Sequence, residues 1–81
     1  MLDIVNVQPK SGYKLLLTFE NGETRIFDCG KLVEEKPFEE LANPALFQRA
    51  RIEYGTVVWP GELDLAPETL YLESKAIGSL D

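Results

Sequence analysis

The chain contains no histidine. That excludes Ser-His-Asp and Cys-His catalysis and removes the commonest transition-metal ligand. With one cysteine, Cys29, neither an internal disulfide nor a structural zinc site can be assembled. Basic residues are few as well. Eight Lys and Arg stand among fourteen Asp and Glu, for a net charge of −6, and they form no basic run. Nucleic-acid binding draws most of its affinity from cations on phosphates, so direct contact with DNA or RNA is not expected. An anionic membrane surface is disfavoured for the same reason. No apolar stretch approaches the ~20 residues of a membrane helix. The opening Met1-Leu2-Asp3 lacks the basic-then-apolar pattern of a signal peptide. A cytoplasmic setting with Cys29 reduced is the resulting expectation. No phosphate-binding loop is present either, and no cofactor is expected.

What is present suits one small domain spanning residues 1–81, with a fraying tail over 78–81. Hydrophobic residues make up 44% and charged residues 27%, an ordinary globular balance. A chain of this length is stable by only about 4–12 kcal/mol, so little is left over for a strained catalytic site.

Leu2 to Val7 is apolar and β-branched enough for a strand stopped near Pro9, with a bulge or burial on both faces suggested by adjacent Ile4 and Val5. Tyr13 to Glu20 alternates with period two, placing Tyr13, Leu15, Leu17 and Phe19 on one face. Asn21-Gly22 follows, a hairpin signal because a type I′ turn needs positive φ at both central residues. A two-residue turn sets Phe19 opposite Thr24 and Leu17 opposite Ile26, and it opposes Glu20 to Glu23. A longer loop with a bulge would relieve that repulsion. Asp28 is placed to cap a short turn reaching Leu32 or Val33. Pro37 to Ala42 and Pro44 to Gln48 read as short helices, the second opened by Asn43.

Arg49 to Tyr54 and Thr56 to Trp59 form a second hairpin with Tyr54-Gly55 as its loop. Ile52 then pairs with Val57, and Ala50 with Trp59. Pro60-Gly61 stops the strand. The last helix opens near Pro67, with Leu70 and Ile77 two turns apart, and ends at Ser74 or at a Gly78 cap. The expected fold class is therefore α+β: a three-stranded antiparallel meander, a second hairpin, short helices and a C-terminal helix across one sheet face.

Three segments together carry a resemblance. They are Leu15 to Asp28, Phe38 to Leu41 with Asn43 to Phe47, and Val58 to Gly61 with Asp64 to Tyr71. In this order and spacing the chain resembles the small, mostly bacterial family called domain of unknown function 2442, from Ile4 to about Leu72. That family usually reads Trp-Pro-Asn-Gly-Ala-Asp-Leu where this chain has Trp59-Pro60-Gly61-Glu62-Leu63-Asp64-Leu65, so the turn chemistry departs here. The resemblance implies an α+β fold and no established activity, cofactor or catalytic residue. It also implies an antitoxin-like alternative, because some relatives are encoded beside another small protein.

Among candidate residues, Glu62, Asp64 and Glu68 would serve a small metal-dependent enzyme if they converged on Mg²⁺ or Ca²⁺, since hard cations want several carboxylate oxygens. An exposed loop and an acidic first helical turn explain them more simply. Glu34 and Glu35, with Glu39 and Glu40, form an acidic patch suited to a basic partner, although such runs are commonly just solvated. Cys29 reads as a small buried hydrophobe and Trp59 as core filling, while Tyr54 at the hairpin tip is the better surface aromatic. The expectation is a non-catalytic protein-binding or regulatory module. Its contact residues would be Tyr54, Glu62, Asp64, Glu34 and Glu35, and its partner another protein or a second copy in a homodimer.

Overall fold

A computed structural model of the chain describes residues 2–77. The expected Gly78 cap and the tail over 78–81 lie outside the described residues. Among the described residues, seven strands form two antiparallel sheets. The first sheet contains β1 (Ile4–Lys10), β2 (Lys14–Phe19), β3 (Thr24–Asp28) and β7 (Lys75–Ile77), in the order β1-β2-β3-β7. The second contains β4 (Arg51–Glu53), β5 (Thr56–Trp59) and β6 (Leu63–Asp64), in chain order. Two 3₁₀ turns, Leu32–Glu34 and Phe38–Ala42, and helix α1 (Pro44–Phe47) connect the sheets; helix α2 (Pro67–Leu72) leads into β7. The α+β class and both hairpins are as the sequence predicts, and each sheet gains one strand.

Strand β1 runs past the expected stop and carries Pro9 within it. It is an edge strand, where a residue without an N–H is tolerated. The irregularity expected near Ile4 and Val5 is present as a register shift between Ile4 and Asn6. In β2 the alternation holds, and Leu15, Leu17 and Phe19 are buried.

The register of the first hairpin differs from the two-residue reading. Leu17 pairs with Arg25 and Leu15 with Phe27, not Leu17 with Ile26. Phe19 N–H donates to Glu23 O at 2.9 Å and Gly22 N–H to Phe19 O at 2.9 Å, which leaves three residues in the loop. Gly22 sits at φ 89°, the left-handed position that closes such a loop with a bulge. Glu20 no longer faces Glu23. A one-residue change of register exchanges the two faces of a strand, so Arg25 and Phe27 turn inward in place of Thr24 and Ile26.

Arg25 is accommodated there because everything around it accepts hydrogen bonds. Its Nε donates to Ser74 Oγ at 2.7 Å and its Nη2 to Ser74 O at 2.9 Å. Its Nη1 meets Glu23 Oε1 at 2.8 Å, and the guanidinium lies 4.3 Å from the Tyr71 ring centroid. Tyr71 in turn donates to Glu23 Oε2 at 2.6 Å. The Tyr71 hydrogen bond first, and Arg25 second, hold the Glu23 carboxyl below its ordinary 4.5.

These contacts explain why the final helix is short. The expected stripe of Leu70 and Ile77 is not helical. Instead α2 ends at Leu72, Ser74 is buried under Arg25, and residues 75–77 pair with β3. Similarly, residues expected to be loop after Pro60-Gly61 form β6, with Leu63 opposite Trp59 and Asp64 opposite Val58.

The core gathers Ile4, Leu15, Leu17, Phe19 and Phe27 from the first sheet, Val57 and Trp59 from the second, and Leu41, Phe47 and Leu70 from the helical segments. Trp59 is fully buried, and its Nε1 donates to Phe47 O at 3.0 Å, so the ring brings no unpaired polar atom into the core. Asn43 caps α1 as expected, its Oδ1 accepting from Ala45 N at 3.0 Å.

Arg25→Ala removes the hydrogen bonds that hold Ser74 and the segment behind it. We expect a loss of about 1–3 kcal/mol in urea unfolding and faster amide exchange over Lys75–Ile77. Because the Glu23 carboxyl is depressed when folded, its contribution is present above about pH 4.5 and is lost as the pH falls through the folded value. Part of the difference between wild type and variant should therefore vanish in acid. Unchanged exchange in that segment would refute the anchoring role.

Candidate functional site

Tyr54 and Gly55 form the two-residue loop between β4 and β5, with φ values of 54° and 76°. Ile52 pairs with Val57 and Glu53 with Thr56, the expected register. The backbone is that of a type I′ turn, in which Asn or Gly would sit more easily than Tyr at the first position. The ring offers no packing in return, for Tyr54 is 99% exposed. The loop is nevertheless fixed. Ile4 N–H donates to Gly55 O at 2.8 Å, and a Cβ on Gly55 would stand 2.6 Å from the Asp3 carboxyl carbon. The Asp3 side chain could turn aside, but the left-handed φ of 76° at Gly55 is one that glycine adopts without strain.

Tyr54 stands between two concave surfaces. On one side lies a groove of about 450 Å³ walled by Leu2, Tyr54, Pro67, Tyr71 and Leu72, with Asp3 and Glu68 also lining it. Leu72 is 77% exposed. Successive helical residues are turned by about 100°, so with Leu70 in the core, Leu72 is about 200° away and faces out. Tyr71 is held in place by Phe19, edge-on at 5.2 Å between centroids, and by Glu23 and Arg25. The Glu23 hydrogen bond, then burial, raise the Tyr71 phenol above its ordinary value, keeping it a neutral donor.

On the other side of Tyr54, Glu62 and Asp64 share a shallower hollow of about 370 Å³ with Arg51 and Glu53. Arg51 Nε is paired with Glu53 Oε2 at 2.6 Å. Glu62 occupies the turn into β6 at φ 64°, after Gly61 at 90°. Asp64 lies on β6, and Glu68 is in the first turn of α2, lining the other groove. Three of the expected contact residues, Tyr54, Glu62 and Asp64, are thus brought together. The carboxylates of Glu62, Asp64 and Glu68 do not converge as a metal site would require. Among the described residues no group of three or more acidic or cysteine side chains is arranged to hold an ion.

Glu34 and Glu35 lie elsewhere, on a broad concavity they share with Asp28, Lys31 and Glu73. Asp28 does not cap the 3₁₀ turn; its Oδ1 accepts from Gly30 N–H at 2.8 Å, and Val33 N–H reaches Cys29 O. Cys29 is fully buried, and burial, then the Asp28 charge, push its thiol up to about 12. That removes it as a nucleophile.

Leu72, Leu2 and Pro67 are wall residues that sequence reasoning did not select. One signal was available: in Leu70-Tyr71-Leu72, a helix that buries Leu70 must expose Leu72.

A protein-family profile described as "Protein of unknown function (DUF2442)" matches residues 4–76. No curated protein and no solved structure matches the chain.

Two outcomes check this geometry. At pH 8 the Cys29 thiolate fraction is on the order of 10⁻⁴ for a thiol near 12, so iodoacetamide should leave the native protein unmodified and label it in urea. Rapid native labelling would contradict its burial. Tyr54→Asn should relieve the left-handed backbone and raise the thermal midpoint by several degrees, roughly 4–8 °C per kcal/mol in a domain of this size. A lowered midpoint would mean that the ring supports the fold.

Proposed function

The chain belongs to the DUF2442 family of proteins of unknown function, and from that premise we propose that it is a non-catalytic protein-binding module whose contact face is centred on Tyr54. The observation that carries this reading is the aromatic ring itself. It is fully exposed on a loop pinned to β1, in a backbone conformation that costs tyrosine energy and gains the fold nothing. Residues kept in unfavourable conformations commonly serve a contact rather than the fold. Tyrosine is also among the residues that dominate interface energetics, because a rigid amphipathic ring loses little entropy on binding.

The chemistry around the ring supports binding over catalysis. The chain has no histidine, its one thiol is buried and protonated, and the nearby carboxylates are spread over two separate hollows. The partner is another protein. A second copy is the competing partner, pairing along a sheet edge such as β7. The negative net charge weighs against nucleic acid and anionic membranes as direct partners. The reduced, buried Cys29 suits a cytoplasmic setting. Among the described residues no helix is long and apolar enough to cross a membrane.

The test places a photo-crosslinking benzoylphenylalanine at position 54 in the full chain and, as a control, at exposed Glu39. A discrete crosslinked product with a second protein from position 54 but not from 39 is expected. Identical product patterns from both positions, or none from 54, would refute the reading. Calorimetry with Mg²⁺, Mn²⁺ and Ca²⁺ should be silent; saturable binding abolished by Asp64→Asn would favour a metal-dependent enzyme instead.

A further inference from the structure

The groove beside Tyr54 has an electrostatic character that narrows its occupant. Its walls are apolar, formed by Leu2, Tyr54, Pro67, Tyr71 and Leu72, yet every charged residue lining it is acidic: Asp3 and Glu68. Across the Tyr54 ring, Glu62 and Asp64 add two more carboxylates. Among the described residues the ion pairs are Arg25–Glu23 and Arg51–Glu53, so the one arginine of this face is already engaged with its own strand neighbour. Among the described residues, Asp3 and Glu68 line the groove beside the exposed Tyr54 and Leu72, Glu62 and Asp64 line the neighbouring hollow that Tyr54 shares, and none of these four carboxylates is in an ion pair.

We infer that this groove receives a cationic segment of another protein, in which one apolar side chain enters between Tyr54 and Leu72 while flanking Lys or Arg residues meet Asp3, Glu68 and the Glu62–Asp64 pair. This inference rests on the protein-binding reading and names the partner chemistry for the same face. Desolvating Leu72 and the Tyr54 ring supplies the attraction, and the four carboxylates supply orientation and reject acidic competitors. A second copy of this chain is a poor occupant. A two-fold interface sets the same patch against itself and would bring four carboxylates of one protomer onto four of the other. Phosphate-bearing partners are repelled by the same charges.

The experiment pans a phage library of random 12-residue peptides on the immobilised full chain, then measures resynthesised winners by fluorescence anisotropy. Winners should carry net positive charge, with Lys or Arg beside a Leu, Phe or Trp. Binding should fall at least tenfold with Tyr54→Asn and with Leu72→Ser, several-fold with Glu68→Gln, and steeply on raising NaCl. Tyr54 and Leu72 are exposed and lie on different elements, so loss in both variants is not a folding effect. Winners that bind Tyr54→Asn and Leu72→Ser as tightly as wild type would overturn the groove assignment while leaving a binding module elsewhere on the surface. Groove-dependent winners that are neutral or acidic would overturn the cationic chemistry. A dimer in sedimentation that Leu72→Ser dissolves would make a second copy the occupant and overturn the inference. No enrichment at all would count against the groove and the binding module together.

Discussion

The guanidinium of Arg25 joins parts of the chain far apart in sequence. It sits on the face of β3 that also carries Phe27, and it reaches Glu23 just before that strand and Ser74 beyond α2. Burying a guanidinium is costly unless its donors are satisfied, and here hydroxyl, carbonyl and carboxylate oxygens take them while the Tyr71 ring covers the plane. Once these contacts form, Ser74 cannot continue the helix outward, and Lys75–Ile77 falls beside β3 as the fourth strand. Tyr71 is fixed by the same cluster, and with it one wall of the groove at the domain's surface. The charge contact therefore governs both the end of the fold and the shape of its candidate contact face.

A second fixed point lies at the opposite wall. The hairpin tip is tied to β1 through Ile4 and Gly55, so Tyr54 is presented by rigid backbone although its ring touches little. Rigid presentation lowers the entropy lost on binding, and it distinguishes this exposed aromatic from one on a mobile loop. The two walls come from β5's hairpin and from α2, elements joined through the core by Trp59, Phe19 and Leu70. Core packing thus sets the groove's width, and Asp3 and Glu68 among its lining residues set its charge.

Much of this was legible from local patterns. The alternation in Lys14–Phe19, the Asn43-Pro44 helix start and the Tyr54-Gly55 hairpin register each follow from short-range rules, and each is present. Burial of Cys29 and Trp59 was legible from residue type. The first hairpin was not, because Asn21-Gly22 serves a two-residue or a three-residue loop equally well and only the packing of Phe27 and Arg25 decides between them. β6 and β7 were hidden for a related reason: strands of two and three residues have no periodicity of their own and exist through the partner they pair with. Of the five expected contact residues, Tyr54, Glu62 and Asp64 share one region, while Glu34 and Glu35 stand on another.

The amino-acid sequence alone determined the class of the fold, the identity of most core residues and the absence of any histidine, since composition, alternation and turn signals act over a few residues. Tertiary structure alone decided which face of β3 is buried, where the last helix stops and which acidic residues gather around Tyr54. Those outcomes depend on side chains up to 49 positions apart, such as Arg25 and Ser74, meeting in a space that no local pattern describes.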